Sequence, residues 1–311
     1  MYLEVRKVGK SKAYYLAHSF REGGRVFKVR RFLGTNLTEV QVAKLRKKAE
    51  EILRKEVERY KIINDPLTRE LEPKEIGIIK ALQEKVKLKV DHLSKDDWHM
   101  FTEAFTYDTN AIEGSTVTSS EVRDILEKAE WPRDKDKEDI SETYGVSEAV
   151  GEIRKTKEHI SLDLLLQLHK ICFRNSKGFA GKFRPKGVEV YVKNQLGEVL
   201  HVGAPSQRVR SLLKELISWY EKNKDRYPPI LLAAVAHNQF ETIHPFQDGN
   251  GRVGRLLLNN ILIKHGFPPV NITFKRRARY YKVIREYQNN GDVRPMIDLI
   301  LEEYKRFYKD T

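Results

Sequence analysis

Residues 244–255 read His244-Pro245-Phe246-Gln247-Asp248-Gly249-Asn250-Gly251-Arg252-Val253-Gly254-Arg255 and join two apolar helical runs. Upstream, Leu232, Ala236, Phe240 and Ile243 recur at helical spacing from about Ile230. Pro245 ends that helix, because the residue before a proline is pushed away from the α region, so His244 falls at the helix-to-loop corner. Gly249 and Gly251 permit tight backbone and close approach of a ligand. Downstream, Val253, Leu257 and Ile261 mark a second helix from about Gly251 to Lys264, closed by Gly266 and Pro268. The expected fold is built around these two helices and the loop between them.

Such a loop ends on a helix N-terminus, where the first amides lack partners and the macrodipole is positive, which suits phosphate oxygens. Arg252 and Arg255, three apart, project from neighbouring positions and neutralise more of a polyphosphate. Asp248 supplies a hard oxygen for Mg²⁺. His244 titrates near neutrality and is the candidate base. A histidine at a helix end, a Gly-Asn-Gly turn or an Arg-x-x-Arg pair is commonly structural when met alone. Their convergence within twelve positions is what points to chemistry. His237 lies seven residues before His244, but no third zinc ligand stands near the pair.

The rest of the chain reads as a mainly helical scaffold with small β elements. At 311 residues and 40% hydrophobic content it can bury a substantial core in one or two domains. Ala13–Phe20 and Arg25–Leu33, around Glu22-Gly23-Gly24, read as a β-hairpin whose second strand sets Val26 and Lys28 on one face and Phe27 and Val29 on the other. From Thr38 to about Ile62 a charged helix follows, broken at Asn64-Asp65-Pro66, and another begins after Pro73. A second hairpin is expected where Val188–Val192 alternates, turns at 194–198 and resumes at Val199–Val202; its exposed strand edges suit pairing with a partner segment. Cys172 is alone, cannot form an internal disulfide and sits in an apolar run, which fits a reducing compartment. No signal core or apolar run of membrane-spanning length appears, so a cytoplasmic setting without membrane association is expected. A net charge of +14 is read first as solvated helical faces and second as attraction to nucleic acid through the basic N-terminal element, residues 1–36.

The run at 244–255 resembles the signature of Fic-domain proteins, His-Pro-Phe-x-Asp/Glu-Gly-Asn-Gly-Arg-x-x-Arg, with every fixed position present. The likeness extends from about residue 100 to 300 and includes Ala180-Gly181-Lys182-Phe183-Arg184 and Asn289-Asn290-Gly291-Asp292. It implies a Fic-type helical bundle at 93–311, preceded by a helical region at 37–92, and transfer of AMP from ATP to a Ser, Thr or Tyr hydroxyl of a target protein. Under the resemblance His244 is the base, Asp248 holds Mg²⁺, and Gly249, Asn250 and Gly251 cradle the anion. Arg252 and Arg255 contact the terminal phosphates, Phe246 anchors the loop, and Tyr281 and Asn289 line the adenine pocket. The hairpin at about 187–202 resembles the family flap, on which a protein substrate docks.

Thr109-Asn110-Ala111-Ile112-Glu113-Gly114 is similar to the family's inhibitory motif, Ser/Thr-x-x-x-Glu-Gly/Asn, at the end of a helix spanning about 96–114. Read by itself, Glu113 is a solvated acid at a helix end, disfavoured by the dipole by about 0.3–1 kcal/mol. Under the resemblance it pairs with Arg255 and holds the enzyme inactive. Thr118-Ser119-Ser120-Glu121 reads as a capping box that opens the next helix. Alternatives are removal of AMP from a modified protein with Glu113 positioning water, a nucleotide donor other than ATP, and a nucleic-acid-binding regulator. A homodimer is expected by analogy.

Overall fold

The computed structural model describes residues 1–22, 25–60, 71–84, 89–193 and 199–308. The hairpin turn at Gly23-Gly24, the helix break at Asn64-Asp65-Pro66 and the second hairpin's turn at 194–198 lie outside the described residues. The chain groups into two compact units, Met1–Asn64 and Asp65–Thr311.

In the first unit β1 (Tyr2–Val8), β2 (Ser11–Glu22) and β3 (Arg25–Thr35) form an antiparallel sheet in that order, followed by α1 (Glu39–Tyr60). The sequence leads one to expect only the β2–β3 hairpin. β1 pairs Tyr2 with Ala17 and Val8 with Ser11, and one of its faces mixes rings with charges, which hides the usual strand alternation. In β3 the expected alternation is present: Phe27 and Val29 pack with Leu16 of β2 and with Ala49, Leu53 and Val57 of α1. Because α1 covers that face, sheet and helix share one core within the unit Met1–Asn64.

The second unit is helical, as the pattern of apolar positions implies. It comprises α2 (Pro73–Gln83), α3 (Lys95–Ile112), α4 (Ser119–Arg123), α5 (Lys137–Lys155), α6 (Leu162–Phe173), the hairpin β4 (Tyr191–Lys193) and β5 (Val199–Val202), α7 (Val209–Asn223), α8 (Pro229–Ile243), α9 (Asn250–Lys264), α10 (Arg277–Asn290) and α11 (Arg294–Phe307). Every residue of α8 from Ile230 to Ile243 is buried. A helix buried all round is the centre of a bundle, and α8 is wrapped by α7, α9, α10 and α11. α3 starts in a capping box: Ser94 Oγ accepts from the Asp97 amide at 3.1 Å and the Asp97 carboxylate accepts from the Ser94 amide at 2.8 Å. Thr118 and Glu121 form the expected box at the start of α4. The second hairpin begins at Tyr191, later than Val188, because backbone groups at 188 are already engaged. The Val188 amide donates to Pro185 O at 3.1 Å, and Val188 O accepts from Arg184 at 2.8 Å. No described helix is long and apolar enough to cross a membrane.

Candidate active site

His244 caps α8 in a left-handed conformation, φ 53° and ψ 64°, which a residue with a Cβ adopts at a cost of order ~1–3 kcal/mol. The surroundings enforce it. The His244 amide donates to Phe240 O at 2.9 Å, and His244 O accepts from Arg184 Nε at 2.8 Å. Buried Arg184 also donates to Ile243 O and Ala204 O, so one guanidinium straps the corner to the hairpin's approach. The imidazole Nδ1 lies 3.2 Å from Glu241 O. A carbonyl only accepts, so Nδ1 carries the hydrogen and Nε2 keeps its lone pair. Burial is the largest influence on this ring and lowers its pKa to about 4, so it is neutral at physiological pH.

The loop after His244 is locked from below. Phe246 is fully buried and stacks on His169 with centroids 3.9 Å apart, the anchoring role expected of it. His169 accepts from the Gly181 amide at 2.8 Å and faces Asp248 O at 3.1 Å through its other nitrogen, which therefore donates. The Asn250 side chain closes the loop. It turns back, accepting from the Phe246 amide at 2.8 Å and donating to Phe246 O at 3.0 Å. Only its backbone amide remains for an anion. Gly249, at φ +77°, passes so close to Phe173 that a Cβ would sit 2.3 Å from the ring.

Both arginines of the loop are held by protein carboxylates. Arg255 donates from Nη2 to Glu113 at 2.8 Å and to Thr109 O at 2.9 Å, from Nε to Thr109 Oγ1 at 2.7 Å, and from Nη1 to the Tyr280 hydroxyl at 3.2 Å. Burial opposes its charge, but Tyr280 and Glu113 outweigh that and hold it protonated. Arg252 pairs with Glu142 of α5 and lies over the Phe173 ring at 4.4 Å. Gly251 shows where the Glu113 carboxylate rests: a Cβ there would meet Glu113 Oε1 at 2.1 Å. The first turn of α9 is thus covered by an anion supplied by the end of α3. Glu113 sits at the C-cap of α3, where the dipole disfavours it, and Arg255 offsets that cost.

Asp248 has one oxygen on the Gly249 amide at 2.6 Å and the other 3.5 Å from Lys177 Nζ. Burial pushes its pKa up, but Arg252, the amide and Lys177 together leave it below the usual range. Among the described residues the one His/acid cluster with metal-ligand spacing is His99, Glu103 and Glu127, none of them in this loop. His237 is buried against the Tyr280 hydroxyl at 3.0 Å, and burial lowers its pKa to about 3. It is a core histidine.

Tyr281 reaches the rim of the site, donating to Ile112 O at 3.1 Å. Asn289 is exposed, two turns further along α10. Glu142, Lys177, Arg184, His169 and Glu241 are additions that the sequence reading does not place in the site. Glu142 and Lys177 sit among many charged residues with no local pattern to single them out. Glu241 is the clearest miss. It is the one carboxylic acid on a fully buried helix, three before His244, and burial followed by the nearby Glu113 pushes its pKa up to about 8. Gly254 makes room for it, since a Cβ there would lie 2.3 Å from Glu241 Oε1.

Residues 159–262 match the Fic/DOC family. The chain is 34% identical over 200 residues to a protein adenylyltransferase Fic of Nematostella vectensis, covering 62% of this chain and 45% of that protein. It is 35% identical over 200 residues to the protein adenylyltransferase fic-1 of Caenorhabditis elegans, covering 62% and 38%. The chain therefore spans less than half the length of these curated relatives. A solved Fic-domain-containing signalling protein from Bacteroides thetaiotaomicron superposes with a TM-score of 0.65 at 21% identity, over 75% of this chain and 94% of that one, a likeness of fold.

Proposed function

We propose that this chain, which carries a Fic/DOC domain, is a protein adenylyltransferase held inactive by its own α3. It takes ATP and transfers AMP to a hydroxyl of a target protein. The observation that carries this reading is the Glu113 carboxylate against Gly251 and bonded to Arg255. A phosphate at that helix N-terminus would use the same amides and the same guanidinium.

With Glu113 withdrawn, the amides of 249–251 and Arg255 receive the terminal phosphates. Arg252 contributes once Glu142 yields it. In the transfer, the hydroxyl proton of the target passes to His244 Nε2 while the hydroxyl oxygen bonds the α-phosphorus and pyrophosphate leaves with the bonding pair. Nδ1–H, held on Glu241 O, fixes the ring and carries part of the imidazolium charge that develops. The left-handed corner aims that ring at a fixed point, which is how positioning lowers a barrier. Mg²⁺ fits the donor set. One half-exposed carboxylate, Asp248, has an oxygen 3.5 Å from Lys177 Nζ, and Mg²⁺ takes one or two carboxylates plus phosphates and waters. Bound there it would offset phosphate charge. The hairpin β4–β5 lies next to the corner, with His201 Nε2 3.0 Å from Thr242 O, and its outer edge is where a target segment would pair. Tyr281 and Asn289 are assigned to the adenine side.

The test is labelling of the protein and of a lysate by α-³²P-ATP and Mg²⁺, comparing wild type, Glu113→Gly and Glu113→Gly/His244→Ala. The reading requires label in the second alone or in large excess there. Competition by unlabelled GTP, CTP and UTP then checks the donor, and absence of label from all three proteins refutes the assignment.

A further inference from the structure

The N-terminal sheet has a second face that AMP transfer does not use. Residues 1–64 contain 17 Lys and Arg against seven Glu and no Asp, a net +10 out of the chain's +14. The remaining 247 residues are therefore nearly balanced, and the first unit holds most of the excess charge. Its sheet buries one face under α1. By strand alternation the opposite face carries Arg6 on β1, Arg21 at the end of β2, and Lys28 and Arg30 on β3, all exposed.

The side-chain contacts of Arg6 and Lys28 agree with this placement. Arg6 lies over the Tyr15 ring at 5.6 Å and Lys28 over the Tyr2 ring at 5.4 Å. Glu4, the one acid on the described part of this face, is bonded by Lys28 and Arg6 at 2.7 Å each. Its charge is already spoken for, with the Lys28 bond and then the Arg6 bond drawing its pKa to about 2. The net display is cationic. Arg6 stands on one outer strand and Lys28 and Arg30 on the other, and the heads of Arg6 and Lys28 converge on Glu4.

We propose that this face of the β1–β2–β3 sheet binds double-helical nucleic acid through its phosphates. A duplex fits better than a single strand. A strand needs a row of bare aromatic faces on which bases stack, whereas here Arg6 lies over Tyr15 and Lys28 over Tyr2, and Phe32 beside Tyr15 is the exposed ring with no cation over it among the described residues. The inference does not depend on the adenylyltransferase reading.

The experiment is fluorescence anisotropy of the full-length protein with a labelled 24-base-pair mixed-sequence DNA duplex, titrated at several NaCl concentrations. Its arms are wild type, Arg21→Gln/Lys28→Gln/Arg30→Gln, and Lys44→Gln/Lys47→Gln/Lys48→Gln, whose exposed lysines lie on α1 and remove the same charge. Each phosphate neutralised contributes about −0.9 to the slope of log K against log salt. The sheet variant should bind at least tenfold more weakly, with a slope shallower by about 2.7, while the α1 variant stays within about threefold of wild type. If the triple sheet variant fails to fold, Arg30→Gln alone should flatten the slope by about 0.9. Equal loss in the sheet and α1 variants, tighter binding of a single strand of the same length, or binding to phosphatidylserine vesicles without duplex binding would each overturn the proposal.

Discussion

Replacing Glu113 with glycine separates inhibition from mere packing. The side chain makes one charge-assisted bond to Arg255, and such bonds contribute about 1.5–3 kcal/mol. Glu113 is a quarter exposed while Arg255 is 2% exposed, which places the value toward the lower half, about 2 kcal/mol. Arg255 does not become a bare buried charge, because Thr109 Oγ1, Thr109 O and the Tyr280 hydroxyl still accept from it. An anion competing with Glu113 for Arg255 should therefore gain roughly 30-fold in occupancy of the productive position. The rate of self-labelling should rise by at least tenfold. The same 2 kcal/mol should lower the melting temperature without nucleotide by about 4–8 °C. Mg·ATP should restore more of that loss in the variant than it adds to wild type, because a ligand stabilises the state it binds in proportion to its affinity. A lower Tm with no rise in labelling would show that the pair is structural only. An unchanged Tm and unchanged labelling would show that the pair is not made in solution.

His244→Ala in the Glu113→Gly background should reduce transfer by about 10²–10⁴-fold while leaving nucleotide affinity, read by isothermal titration calorimetry, within about threefold. Because burial holds the His244 pKa near 4, the transfer rate of Glu113→Gly should show no inflection between pH 6 and 7; a step there would mean that the ring titrates as it does in water. His169, His237 and His244 all have lowered values, about 4, 3 and 4, so the unfolded chain takes up protons that the folded one refuses. Stability should then begin to fall as pH drops below about 6.5 and go on falling toward pH 4, seen in thermal melts. Glu241 works in the other direction. Its folded pKa near 8 means that the unfolded acid ionises first, so stability is lost as pH rises from about 4.5 to 8, and Glu241→Gln should raise Tm more at pH 8 than at pH 5. Equal effects at the two pH values would mean that Glu241 is ionised in its pocket.

The sequence by itself determined the local pieces. Helical spacing of apolar residues, a proline after His244 and glycines at 249 and 251 specify helix, corner, loop and helix within one continuous run. These are short-range effects of backbone sterics and amphipathic periodicity, and they can be read in place. The capping boxes at Ser94 and Thr118 are local for the same reason, and Thr118 is legible in the sequence. Tertiary structure decided what faces what. That Glu113 lies on Gly251, that Glu142 takes Arg252, and that Arg184 straps His244 from 60 residues away are outcomes of helix packing. Asn250 shows the limit most plainly: nothing local says that its side chain closes the loop on Phe246. β1 was hidden because a strand needs a partner to declare itself, and α1 joined the sheet because only packing reveals which core a helix completes. Hydrogen bonds and ion pairs between distant elements depend on distance and desolvation, and neither quantity exists until the chain has folded.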